Sequence, residues 1–292
     1  MFKFLLFFLL FNYSAAQAKQ PDFKVYYVKG NCTVKQNGKI VKIKRGDELT
    51  SGQNITLASK SQLVLIHKSF ATIQLLEPGV FEVSQLAKDT ESKSTSKITA
   101  SYFRYIWDEL NTHHDSPEND PRKYMVNTGA ASRGCLVSTS VDVDTIYYHH
   151  GPLPVYLKAA NKISYAGFYD SENDGIALLK QKLPGGLVAI DSIAARLKKK
   201  GVYYWEIAGE DGNSCSRFFL QVLNTEDYNQ KIQNIFSAIV PAAPAQTAWM
   251  KGFIMEENHF LAEAFHYYKE AVKSDPKNKV YKKAVNRFYA IH

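Results

Sequence analysis

The sequence predicts a mainly β protein with a C-terminal α-helical segment, and three observations carry that expectation. From residue 23 to 86, short apolar alternations are cut every few residues by Gly, Asn, Ser or Pro, as in GDELTSGQNITLASKSQLVLIHKSFATIQLLEPG. From 124 to 223 a second set of alternating runs follows: LVSTSV, TIYYHH, PVYLKA, KISYAGFYD, IALLKQK and RFFLQVL. Beyond residue 225 the apolar residues recur at helical spacing instead. A chain of 292 residues, 45% hydrophobic and 13% aromatic, has room for two or three domains with buried cores.

The first 18 residues, MFKFLLFFLLFNYSAAQA, read as a secretory signal peptide. Lys3 is the positive start, Phe4 to Phe11 is an apolar run too short for a stable span, and Ala16-Gln17-Ala18 is the small-x-small cleavage signal. No later stretch is apolar enough over about 18 residues to cross a membrane. The mature chain is therefore expected to be exported and soluble.

Residues 19–97 form the first module with its linker. FKVYYV is a strand. CTVKQNGKIVKI is a hairpin, because Asn37-Gly38 tolerates the positive φ angles of a tight turn. NITLA, SQLVLIH, SFATIQL and GVFEVSQL follow as strands, giving six or seven in a small sandwich, roll or barrel. The polar stretch LAKDTESKSTSK, 86–97, reads as a linker. This module resembles the FecR family. Gly30, Gly46, Asp47, Leu49 and Gly52 match that family's glycine after the first strand and its Gly-Asp-x-Leu-x-x-Gly turn. Lys68-Ser69 stands where the family usually has Asp-Gly. The resemblance implies a periplasmic β module, in some members a sensor that relays a signal to an anti-sigma system.

In 98–123, Tyr102, Tyr105, Ile106 and Leu110 predict a short amphipathic helix, followed by the polar loop NTHHDSPENDPR. In 124–224 the strongest signal is ARLKKKGVYYWEIAGEDG. Leu197, Gly201 and Tyr203 resemble the tyrosine corner of immunoglobulin-like and fibronectin-type domains, which predicts an Ig-like β-sandwich. Trp205 shares the Tyr203 face of its strand and is expected in the core. In 225–292, TEDYNQKIQNIFSAIV is a helix capped by Asn224 or Thr225. The stretch from Ala248 to Pro276 resembles one tetratricopeptide repeat: Gly252, Ala264 and Ala271 allow close packing, Tyr268 fills the groove, and Pro276 stops the second helix. Trp249 lies one position off the repeat's pattern, and Met255 replaces an aromatic.

No motif for catalysis stands out. G-x-S-x-G, P-loop and GxGxxG patterns are absent from the sequence, and Ser132-Arg133-Gly134 is no nucleophile elbow. Cys32, Cys135 and Cys215 lack C-x-x-C spacing, and whether Cys135 and Cys215 are bridged stays open. His149-His150 ends a strand, where neighbours point to opposite faces, while His113-His114 sits beside Asp115 in a polar loop, where both could reach one metal; both pairs are read as plain surface or interface histidines. Asp142 and Asp144, expected to share one strand face, and Glu256-Glu257, on a helix, are read as ordinary surface carboxylates. The expectation is a non-enzymatic chain with no cofactor and no metal.

The net charge is +8, or +7 once Lys3 leaves with the signal. Lys39, Lys42, Lys44 and Arg45 form one basic cluster, Lys198 to Lys200 a second, and Lys277, Lys279, Lys282, Lys283 and Arg287 a third. Export argues against nucleic acid as the partner. The leading expectation is a protein–protein adaptor of the envelope. Its docking surface would be the helical end, because a single repeat leaves Trp249, Phe253, Phe260 and Phe265 seeking cover. The alternative is a cell-wall or glycan binder, favoured if aromatic residues line an exposed sheet face. An apolar groove on the terminal helices would favour the adaptor.

Overall fold

A computed structural model describes residues 20–36, 38–91, 95–111, 137–159, 163–173, 175–197, 200–209, 217–237 and 239–289. The proposed signal peptide, Cys135, Cys215, His113-His114 and most of the loop at 112–123 lie outside the described residues.

The N-terminal part contains eight strands: β1 Phe23–Lys29, β2 Cys32–Gln36, β3 Lys39–Lys42, β4 Glu48–Leu49, β5 Asn54–Leu57, β6 Gln62–His67, β7 Thr72–Leu75 and β8 Gly79–Glu82. They form two four-stranded antiparallel sheets, ordered β4-β1-β6-β7 and β3-β2-β5-β8. Turn chemistry explains the register. Gly46 and Gly52 sit at φ +89 and +95, backbone that side chains disfavour, at the turns flanking β4. The β2–β3 pairing brackets the Asn-Gly pair with Gln36 opposite Lys39. Strand β3 is exposed throughout and forms an open edge, which Lys39 and Lys42 protect against pairing with another chain.

The two sheets share one core: Phe23, Val25, Leu63 and Leu65 meet Cys32, Val34, Ile55 and Leu57. Alternate residues Tyr26, Val64 and Ile66 belong instead to the main core of the rest of the chain. The first sheet is therefore buried on both faces, which is why QLVLIH reads as a continuous apolar run. A bulge between Val25 and Tyr27 re-aims Tyr26. Its ring meets Phe103 edge-on at 5.5 Å, and its hydroxyl lies 2.9 Å from that of Tyr102 and 4.0 Å from Met250 Sδ.

After β8 the chain turns directly into helix α1, Val83–Glu91. This corrects the expected strand end and linker. Val83, Leu86, Ala87 and Thr90 recur at helical spacing and bury one narrow face, a signal too sparse to separate from a polar linker. Helix α2, Lys97–Asn111, buries Tyr102, Tyr105 and Ile106 as their spacing predicted.

The middle part holds β9 Val137–Thr139, β10 Thr145–Tyr148, β11 Pro154–Ala159, β12 Ile163–Tyr169, β13 Leu179–Lys182, β14 Leu187–Ala189, α3 Ile190–Arg196, β15 Gly201–Gly209 and β16 Phe218–Val222. Sheet order is β14-β11-β9 in one sheet and β10-β16-β15-β12-β13 in the other. All pairings are antiparallel except β10 with β16. Helix α3 was not foreseen; only Ile190 and Ile193 are buried on it, too few to mark a period. The Tyr203 hydroxyl donates to the Leu197 carbonyl at 2.9 Å, the bond the corner pattern required. Trp205 is fully buried and packs on Phe168 and Phe218, as expected of an inward position.

Four helices end the chain: α4 Thr225–Phe236, α5 Pro244–Glu257, α6 Leu261–Ser274 and α7 Lys279–Phe288. Asn224 caps α4 by accepting from the Asp227 N–H. Helices α5 and α6 form a tight hairpin. Its closeness rests on Gly252, where an added Cβ would stand 2.5 Å from the Tyr268 ring. No helix among the described residues is long and apolar enough to cross a membrane.

Candidate functional site: an aromatic face on the five-stranded sheet

The four residues expected to form an exposed docking surface are interior. Trp249, Phe253, Phe260 and Phe265 are 1%, 0%, 2% and 1% exposed. The cover comes from this chain. Tyr102 of α2 packs on Phe253 at 5.5 Å, Tyr147 of β10 on Phe260 at 5.5 Å, Tyr281 of α7 on Trp249 at 5.4 Å and Phe288 on Phe265 at 5.0 Å. A lone helical hairpin that cannot bury its own faces has been enclosed by α2, α4, α7 and the five-stranded sheet. Glu256 and Arg287, read from sequence as surface groups, are buried together. Arg287 donates to both Glu256 oxygens at 2.8 and 2.6 Å, and the Tyr268 hydroxyl donates to Glu256 at 2.7 Å.

Asp142 and Asp144 lie in the approach to β10 rather than on one strand, with the Asp144 N–H donating to Asp142. Burial, then the neighbouring Asp142 charge, pushes the Asp144 carboxyl up from its ordinary range. His149 and His150 join through their Nδ1 atoms at 2.5 Å, and His149 stacks on Tyr228 at 4.3 Å. Burial, then His150 and Lys200, lowers the His149 pKa. Among the described residues no group of three or more His, Cys, Asp or Glu is placed to hold a metal ion. Cys32 is a buried free thiol, its pKa raised by burial.

The outward face of the five-stranded sheet has a different character. Strand alternation sends Ala166, Phe168, Tyr203, Trp205, Phe218 and Leu220 inward. The intervening residues lie on the opposite face, and five of them are aromatic: Tyr165, Tyr169, Tyr204 and Phe219, with Tyr147 at the edge where its ring packs on Phe260. Register aligns three across the sheet, Tyr169 opposite Tyr204 opposite Phe219. Tyr204 and Phe219 meet edge-on at 6.0 Å, and Phe219 and Tyr147 at 6.4 Å. All but Tyr169 are partly exposed.

Polar groups interleave with the rings. The Tyr169 hydroxyl donates to Glu206, and the Arg217 guanidinium lies 3.5 Å over the Tyr169 ring. Arg217 also pairs with Glu206 at 3.3 Å and donates to the carbonyls of Ser171 and Glu172. Gly167 makes this layering possible, since a Cβ there would meet the Tyr169 hydroxyl at 2.9 Å. Burial, then Glu206, pushes the Tyr169 pKa up to about 12. Lys180 lies over the Tyr165 ring at 4.9 Å and Lys231 of α4 over Tyr147 at 4.4 Å. Among the described residues the result is a face of ring surfaces edged by cations and one carboxylate.

Sequence reading did not single out these residues, although the signal was present. Once Tyr203 and Trp205 face inward, Tyr204 and Glu206 between and beyond them face out. No protein-family model, no curated protein and no solved structure matches this chain.

Proposed function

We propose that this chain is an exported, non-enzymatic binding protein of the bacterial envelope that holds a glycan on the outward face of its five-stranded sheet. The observation that carries the reading is the aromatic row Tyr169–Tyr204–Phe219 with Tyr147 and Tyr165 beside it, interleaved with Arg217, Glu206 and Lys180. Sugar rings present C–H faces that pack on aromatic rings and hydroxyls that need donors and acceptors, and this face supplies both. Lys180 and Lys182 at one edge of the sheet and Lys231 at the other suit a glycan that carries anionic groups. In this reading the N-terminal part is a FecR-like module, the middle part an Ig-like sandwich, and α5–α6 a tetratricopeptide-like hairpin that serves as a structural cap. The periplasm is the proposed location.

The protein–protein adaptor is the second reading. A groove of about 510 Å³ supports it, floored by Ile98, Ile235 and Ile254 and edged by Thr95, Ser96 and Asn258. It lies where α2, α4 and α5 meet, away from the four residues first expected to dock a partner.

Co-sedimentation of the mature chain with purified sacculi at low salt distinguishes the two. Wild type is expected in the pellet, and Tyr204→Ala with Phe219→Ala in the supernatant with an unchanged circular dichroism spectrum. Wild type remaining in the supernatant would remove the glycan reading. Pelleting unaffected by the double substitution would move the site off this face.

A further inference from the structure

A second cavity, of about 240 Å³, sits at the other end of the α2–α5 pair, by the start of α5. Four parts of the chain build it: Arg45 from the turn before β4; Tyr105 and Glu109 from α2; Gln246 and Trp249 from the first turns of α5; and Asp275 and Tyr281 from the α6–α7 region. Its volume lies below the range usual for drug-sized ligands, so its occupant is small.

The walls are unequal in chemistry. Gln246 and Trp249, one turn apart on α5, are 7% and 1% exposed, and Gln246 Nε2 and Trp249 Nε1 have no hydrogen-bond partner. Buried N–H groups are nearly always satisfied, so two on one cavity wall are a notable exception. Both are donors, and so are the N–H groups of Ala245 and Gln246 in the first turn of α5, where Ala243 offers no side-chain acceptor, Pro244 has no N–H and the Thr247 N–H is taken by the Ala243 carbonyl. The positive end of the helix dipole points the same way as these donors' demand for an acceptor. Arg45, exposed on the rim, adds a cation. Opposite in sign are Glu109 and Asp275. Both bear electrostatically on the Tyr281 hydroxyl, whose pKa burial pushes up to about 12, with Glu109 and Asp275 adding to the rise and Arg45 opposing it. Tyr105, Trp249 and Tyr281 close the sides, with ring centroids 6.4 and 5.4 Å apart in succession.

A site with unsatisfied donors on its α5 wall, and with Arg45, Glu109 and Asp275 grouped around Tyr281, is complementary to a small molecule carrying both charges. We propose that this cavity binds a zwitterion of free amino-acid or dipeptide size, its carboxylate taken by Gln246, Trp249 and the start of α5 and its ammonium by Glu109 and Asp275. The site is separate from the aromatic sheet face, and either can fail without the other. It also gives the FecR-like module a stake in ligand binding, since Arg45 is that module's contribution to the rim.

Isothermal titration of the full mature chain tests this, with glycine, L-alanine, D-alanine and D-alanyl-D-alanine as probes at millimolar concentration. Acetate and ethylammonium serve as half-ligands carrying one charge each. Saturable binding of at least one zwitterion is expected, with acetate and ethylammonium at least about tenfold weaker. Gln246→Leu and Arg45→Met are each expected to weaken it by about tenfold or more. Arg45 is exposed, so its substitution keeps the test valid even if the buried Gln246→Leu variant folds poorly. No saturable heat with any of the four zwitterions overturns the proposal. Acetate binding as tightly as alanine overturns the zwitterion assignment, and binding indifferent to both substitutions overturns the location.

Discussion

Glu263 offers a sharp test of how the helical hairpin is seated. It lies in the first turn of α6, is 8% exposed, and neither carboxylate oxygen has a hydrogen-bond partner. Tyr228 of α4, Tyr148 of β10 and Tyr267 of α6 bear on it, all neutral phenols at neutral pH. The Tyr228 hydroxyl is within electrostatic reach without forming a bond of normal geometry, so burial dominates and pushes the carboxyl from 4.5 up to about 7. At about 1.4 kcal/mol per pH unit, that rise amounts to about 3 kcal/mol at full ionisation. Because the folded pKa is raised, the folded state holds its proton where the unfolded state has lost it. Stability therefore falls as pH climbs from about 4.5 to 7 and stays low above that window. Glu263→Gln removes the titration and keeps the shape. Urea denaturation at pH 5 and pH 8 is the assay. The variant should be close to wild type at pH 5 and more stable by up to about 3 kcal/mol at pH 8. A wild type that loses no stability relative to the variant between these pH values would refute the reasoning, as would a less stable variant at pH 8.

Three further outcomes follow from packing and pairing. Gly252→Ala should destabilise by about 1–3 kcal/mol in urea denaturation despite the better helix propensity of Ala, because Tyr268 is fully buried and cannot retreat from the new Cβ. Arg287→Met should cost about 3–5 kcal/mol by leaving the Glu256 charge buried and unpaired, and adding Glu256→Leu should recover most of the loss. Tyr203→Phe should cost about 1 kcal/mol in thermal denaturation, the worth of its bond to Leu197.

What could be read from the sequence was local. The Asn-Gly hairpin, the corner at Tyr203, the α2 face and the Gly252–Tyr268 contact each depend on residues close together in the chain or on one repeat's spacing. Helices α1 and α3 were missed because each buries only a few side chains and their composition is that of a polar connector. The fate of Trp249, Phe253, Phe260 and Phe265 was misread for another reason. Their apolar character was plain, but what covers them lies far away in sequence, from Tyr102 and Tyr147 to Tyr281 and Phe288. The aromatic sheet face was half legible: alternation assigns the rings outward, and only strand register aligns them.

Tyr26, turned outward by its bulge, reaches Met250 across 224 positions of sequence. During synthesis, therefore, that face of the first sheet meets α2 early and waits for its remaining cover until helix α5 has emerged. Closing so long a loop is entropically expensive and comes late, and a waiting apolar sheet is a natural substrate for holding chaperones. A chain cut short before α5 would leave the cover of that face to α2 alone, so completion of the hairpin is what seals the first sheet to the rest of the protein.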